Sequence, residues 1–248
     1  MANTNAPRKS VVKIYFPSRN MTLAYFNDKF DLHTGDKVYV EGKYEGVPGR
    51  VTEVSYNFKI KLADYKKVIA LVDTEVKGQF YMAGSHFITF DSSALPAEKV
   101  RYWFMAPANE EDIMVSGCDD STFSLDNLNE MKVSPAIAER GHKYYMDNRV
   151  KYISIDKNRG YAIVEGSENY EVEFTYTDGQ IGNMICNCYC SGNCKHEFAT
   201  MLQLKDLLEV IADSYSAEYA ASGYFAAMDK ATLFATAIAG KEKGSFTL

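Results

Sequence analysis

Apolar and polar residues alternate from Val51 to Leu62, in the run Val-Thr-Glu-Val-Ser-Tyr-Asn-Phe-Lys-Ile-Lys-Leu. A period of two predicts a strand with one face buried. Val11–Phe16, Leu23–Phe26 and Val38–Val40 read the same way. Gly35-Asp36 marks a turn between them, and two glycines with Pro48 mark a loop over 42–49. Residues 1–75 are therefore predicted to form a β-rich domain, a small barrel of short strands. Residues 76–133 are mixed and acidic, with strands at Phe80–Met82 and Phe87–Phe90 and a short helix over 95–104. A change of period follows. Ser134 before Pro135 is an N-cap signal, and 134–148 reads as a helix. Residues 149–185 return to strands, with Asp178-Gly179 as a hairpin turn. Over 195–213, Phe198, Met201, Leu202, Leu208 and Ile211 recur at three- and four-residue steps, which predicts a helix with those side chains on the core. A second helical stretch, broken near Gly223, is expected over 214–239. The end, 241–248, is expected to add an edge strand or fray. The fold class is α+β, in three parts: 1–75, 76–133 and 134–248.

Composition narrows the class. Of 248 residues, 46% are hydrophobic and 24% charged, as in ordinary globular proteins. No apolar run reaches the ~18–20 residues of a membrane helix. Met1–Lys9 lacks the pattern of a secretory leader. A cytoplasmic chain without a membrane partner is the expectation. The net charge of −6 argues against indiscriminate binding of polyanions. Its distribution is uneven: residues 1–70 carry twelve Lys/Arg against seven Asp/Glu, and residues 131–160 carry seven against three. The two intervening and following stretches are acidic.

The most informative feature is Cys186-Asn-Cys188-Tyr-Cys190-Ser-Gly-Asn-Cys194-Lys-His196, which holds four of the five cysteines. Thiolates and imidazoles in this density are the ligands of a tetrahedral metal, and zinc accepts that set. Cys186, Cys188, Cys194 and His196 make the best four. Cys190 is the alternative to Cys186, at the expense of a tighter loop. A disulfide framework suits short secreted chains, and Cys-x-Cys is poorly placed to bridge itself. Four protein ligands leave no open coordination position, so the expected role is structural and not catalytic. Such an ion would pin a strand end to a helix start. Amides at that helix N-terminus should favour the Cys194 thiolate, and Lys195 is placed to offset negative charge. Glu197 reads as a solvated helix residue. Cys118 reads as a lone thiol, and Asp119-Asp120 with Asp126 as an acidic turn without calcium-loop spacing.

This Cys-x-Cys…Cys-Lys-His pattern, after a hairpin and opening a helix, resembles the SWIM-type zinc finger. The flanks Gly141–Val150, Val164–Phe174 and Phe198–Leu204 agree with it, so the likeness covers about residues 134–215. The five-residue gap between Cys188 and Cys194 is short for the family, and Tyr189 stands where a proline is frequent. The resemblance implies a zinc-dependent fold that binds DNA or protein, and it implies no reaction. Relatives carry the module beside a helicase motor. This chain has no G-x-x-x-x-G-K-[ST] loop, so a motor would be a separate partner. The run Gly35-Asp-Lys-Val-Tyr-Val with Gly49-Arg-Val-Thr-Glu-Val is loosely similar to SH3-like β-domains.

The basic stretch before the finger offers Arg140, His142, Lys143, Arg149 and Lys151 for phosphate contacts, with Lys195 beside the ligands. Tyr144, Tyr145 and Tyr152 interleave with these cations. Rings in that arrangement stack on bases or pack beneath the finger, and half-buried strand tyrosines favour packing. The expectation is a nucleic-acid-associated accessory protein. The alternative is a protein-interaction adaptor with a purely structural zinc.

Overall fold

In the computed structural model, residues 8–57, 64–107, 121–190, 192–242 and 246–247 are described. Cys118, Asp119 and Asp120 lie outside them, as does the end of the predicted strand 51–62. The chain divides into two compact units. The first comprises Met1–Val76, Arg101–Asn109 and Phe234–Phe246. The second comprises Lys77–Val100, Glu110–Leu233 and Thr247–Leu248. Residues 76–133 thus divide between the two.

The first unit holds β1 (Ser10–Phe16), β2 (Met21–Asn27), β3 (Lys37–Val40), β4 (Gly49–Ser55) and β5 (Val68–Leu71), in the sheet order β2-β1-β4-β3-β5. The alternation seen in the sequence becomes a buried face of Val12, Ile14, Phe16, Val38, Val40, Val51 and Val68. The sheet's outer strands meet: Phe26 and Lys67 form a parallel bridge, and the Phe26 amide donates to the Lys66 carbonyl at 2.9 Å. Gly49 is required at the start of β4, beside its neighbour β1, because a Cβ there would lie 2.3 Å from the Ile14 side chain. The single tryptophan, Trp103, is 1% exposed and donates its indole N–H to the Asp73 carbonyl at 2.8 Å.

Beyond β6 (Val76–Lys77), the second unit is built on one eight-stranded sheet. Its strands are β7 (Tyr81–Ala83), β8 (His86–Thr89), β9 (Phe123–Ser124), β10 (Val150–Asp156), β11 (Arg159–Glu165), β12 (Asn169–Thr177), β13 (Gln180–Cys186) and β14 (Tyr224–Asp229). They lie in the order β7-β8-β14-β10-β11-β12-β13-β9, and neighbouring strands are antiparallel. The α-helices among the described residues are α1 (Ala97–Phe104), α2 (Pro135–Met146), α3 (Lys195–Ser214), α4 (Ser216–Ser222) and α5 (Lys230–Ala237), of which α1 and α5 divide between the two units. A last short strand, β15 (Phe246–Thr247), forms a separate ribbon with β6.

Local chemistry explains most of these elements. Ser134 caps α2, its hydroxyl accepting from the Ile137 amide at 3.4 Å. The β12–β13 turn places Asp178 and Gly179 at φ +49° and +80°, which a two-residue turn of the primed type requires. Two expectations needed correction. The stretch 214–239 is helical at both ends, as α4 and α5, and breaks at Gly223 as expected, but a strand follows the break. After Gly223 ends α4 in the left-handed region (φ +62°), Tyr224–Asp229 runs as β14 between β8 and β10. All six of its residues are buried, so it shows no alternation. The core-facing side of α3 agrees only in part with the expected one. Met201 and Ile211 are buried as expected, with Ala199, Leu204 and Leu207 beside them, and Phe198 and Leu208 pack half-buried against the same core, which includes Val150, Ile153 and Phe225, while Leu202 is half-buried outside it.

Candidate metal centre

Cys186 ends β13, paired in register with Val172. Asn187 then ties the chain to β12: its amide donates to the Glu171 carbonyl at 3.1 Å, and its side-chain oxygen accepts from the Glu171 amide at 2.9 Å. Cys188 follows at once. On the far side of the loop, the Asn193 side chain donates to the Met131 carbonyl at 2.5 Å. Cys194 is the N-cap of α3, and His196 lies in its first turn. A strand end and a helix start thus deliver the four side chains.

The ligand atoms of Cys186, Cys188, Cys194 and His196 all lie within 4.8 Å of one another, and all four residues are buried. This group could hold a metal ion. His196 Nδ1 is 3.7 Å from the sulfurs of both Cys186 and Cys194. Cys190 is exposed and outside the group. Its backbone N–H hydrogen-bonds the Cys188 sulfur.

Aromatic rings fix the imidazole. Tyr170 stacks on it at 4.0 Å between centroids and 16° between planes, and Tyr144 meets it edge-on at 5.4 Å. His196 Nε2 is buried with no hydrogen-bond partner among the described residues. Burial, and then the nearby Lys195 ammonium, push the imidazole down to about 4, so it is neutral and can ligate. Burial pushes the Cys188 thiol up to about 12. Cys194 is raised further, first by its hydrogen bond with Cys186 and then by burial. The Glu197 amide does reach the Cys194 sulfur, as expected of a helix N-terminus. Neighbouring thiol and burial outweigh it. Only a bound cation would reverse that balance, since a coordinated thiol loses its proton.

Glu197 differs from its sequence reading. It is 5% exposed, and its carboxylate accepts from the Cys194 amide at 2.6 Å while its own amide points to the Cys194 sulfur. This reciprocal pair is a capping box with cysteine in the place of serine. The signal was present at sequence level as Cys-x-x-Glu, masked by the unusual cap residue.

The cations named above scatter in environment. α2 crosses the start of α3 at Gly141, where a Cβ would lie 2.9 Å from Phe198 and 3.0 Å from the Lys195 carbonyl. That crossing brings Arg140, His142 and Lys143 to the end of α3 that carries Cys194 and His196. Arg140 donates to the Ala136 carbonyl of its own helix. His142 and Lys143 are exposed. Lys195 holds its ammonium 4.6 Å from the Tyr144 ring centroid. Arg149 pairs with Glu165 at 3.3 Å, and Lys151 lies 3.6 Å from Glu165 and 3.7 Å from Asp229. Those two are already matched by acids. Tyr152 is fully buried, and Tyr144 and Tyr145 pack against the core.

No protein-family model matches the chain, and no solved structure matches it. Over 69 residues it is 39% identical to an uncharacterized protein of Methanocaldococcus jannaschii. The match covers 28% of this chain and 29% of that protein, so the chain aligns with less than a third of its relative's length. No helix among the described residues is long and apolar enough to cross a membrane.

Proposed function

We propose that residues 134–215 form a SWIM-type module whose Cys186, Cys188, Cys194 and His196 hold one structural zinc ion, and that the protein is a nucleic-acid-associated accessory factor. The buried Cys3His group carries this reading. Zinc bonds of about 2.3 Å to sulfur and 2.0–2.1 Å to nitrogen put tetrahedral sulfur and nitrogen about 3.6 Å apart. The 3.7 Å separations at His196 Nδ1 match that edge. Leaving Nε2 buried and unpaired costs about 1–3 kcal/mol, which a metal bond at Nδ1 would offset. When bound, zinc would supply a cross-link between β13 and α3. Four protein ligands complete its shell, which favours a structural over a catalytic role.

Nucleic acid is favoured by Arg140, His142, Lys143 and Lys195 around the ligand end of α3. The N-terminal unit, with its joined sheet edges, we read as a small SH3-like barrel serving the same assembly. The test is a mobility-shift series on the zinc-loaded protein with single- and double-stranded DNA and RNA. Binding should weaken with salt at a slope of about 0.7–0.9 in log units per phosphate neutralised. Lys195→Glu should weaken it, and Arg149→Ala should do so less. A salt-independent shift, or none at low salt, removes the nucleic-acid reading.

One observation favours a second reading. Tyr189, in the ligand loop, is 91% exposed, as interface aromatics are before their partner arrives. A protein adaptor, acting beside a separately encoded motor, would bury it. Co-purification of a stoichiometric protein partner that Tyr189→Ser abolishes, without a nucleic-acid shift, would select that reading.

A further inference from the structure

Away from the ligands, α3 carries a second polar feature. Gln203, Asp206 and Val210 follow one another at helical spacing and so share a face. With Leu207, with Tyr145 from the last turn of α2 and with the β7–β8 turn, they enclose an open cleft of about 310 Å³. That volume is near the lower end of those that hold small ligands, about 300–1,000 Å³.

The polar groups of this cleft are unbalanced. Gln203 is only 7% exposed, yet its amide has no hydrogen-bond partner among the described residues. Its polar atoms are not sealed off, so they open onto the cleft. The Tyr145 hydroxyl donates to Asp206. A carboxylate has acceptor sites to spare after one such bond, and no described cation pairs with Asp206. Asn148 is occupied elsewhere: its oxygen accepts from Ser85 at 2.9 Å and its nitrogen donates to Asp229. The C-terminus of α2 ends at this rim, and the negative end of a helix favours cations. The described ammonium group at the turn, that of Lys230, is bonded to the Gly84 carbonyl at 2.7 Å. The cleft therefore offers acceptors over an aliphatic floor of Leu207 and Val210, and none of the described residues that line it is a cation to match them.

We propose that this cleft binds an alkylguanidinium or alkylammonium group, with its charge on Asp206, its remaining donors on the Gln203 amide and its methylenes on Leu207 and Val210. The source is either an arginine or lysine side chain of a peptide, or a free alkylamine. The inference is independent of the metal and of the nucleic-acid reading.

Calorimetric titration of the full chain tests it, with N-acetyl-arginine methylamide, agmatine and the neutral N-acetyl-citrulline methylamide as probes. A charge-assisted bond to Asp206 predicts that the arginine probe binds at least about tenfold more tightly than its citrulline counterpart. Asp206→Asn should weaken it by a similar factor. Gln203→Met, which keeps the side-chain length without the amide, should weaken binding with the melting temperature retained, and it stands in if Asp206→Asn does not fold. Tighter binding of the capped amino acid than of agmatine points to a peptide, and the reverse to a free amine. Equal affinity for citrulline, unchanged affinity in a folded variant, or no heat up to about 10 mM probe overturns the proposal.

Discussion

Glu197 and His86 show how much a single residue's role depends on what surrounds it. In the sequence, Glu197 is one more helical acid, and in the fold it closes the capping box on Cys194. Glu197→Ala should lower stability by about 1–2 kcal/mol, the loss of a helix cap, and leave the metal content at that of the parent. Chemical denaturation with parallel elemental analysis checks both halves. His86 carries no sequence motif, yet it is fully buried, with Nε2 2.9 Å from the Val150 carbonyl and Nδ1 3.1 Å from the Ser85 hydroxyl. Burial is the largest influence on it and lowers its pKa. As pH falls below about 6.5 the unfolded chain takes up the proton first, so folded-state stability declines until the lowered value is passed. The slope from this group is at most about 1.4 kcal/mol per pH unit. Urea unfolding across pH 4–7 should show it, and His86→Gln should flatten it. A slope unchanged in that variant would place the proton uptake elsewhere.

At the scale of elements, the site depends on how closely α2 approaches α3. Gly141 sits at their crossing with no room for a Cβ. Gly141→Ala should push the helices apart and destabilise the protein by about 1–3 kcal/mol, as overpacking does, and weaken metal retention because Lys195 and His196 shift with α3. Competition with a chromophoric chelator measures the second effect. Elements with local signatures were legible in the sequence: β1 and β4 from alternation, α2 from Ser134-Pro135, the β12–β13 turn from Asp178-Gly179. The Cys186, Cys188, Cys194 and His196 group, which could hold a metal, was legible because its spacing is chemical. β14 was not. Tyr-Phe-Ala-Ala-Met-Asp has no period of two, and its alanines favour helix. Its strand state follows from pairing with β8 and β10, which lie far away in sequence. The face of α3 was legible in part. Met201 and Ile211 are buried and Phe198 and Leu208 pack against the core, but the helical stripe leaves out Leu204 and Leu207 and includes Leu202, which lies outside the cluster.

For the molecule as a whole, the two units have separate cores, and only the second contains the Cys3His group. Chelation should therefore loosen the second unit and spare the first. Trp103 belongs to the first unit, at a site 1% exposed. A strong chelator should reduce far-ultraviolet circular dichroism and leave the tryptophan emission maximum in place. A simultaneous red shift would mean that the two units unfold together. The account rests most directly on the identity and coordination of the ion, and X-ray absorption on the purified protein, with elemental analysis, tests that. The expected result is one zinc per chain, with three sulfurs at about 2.3 Å and one nitrogen at about 2.0 Å. A metal-free protein that stays folded, or a zinc shell dominated by oxygen, would contradict it.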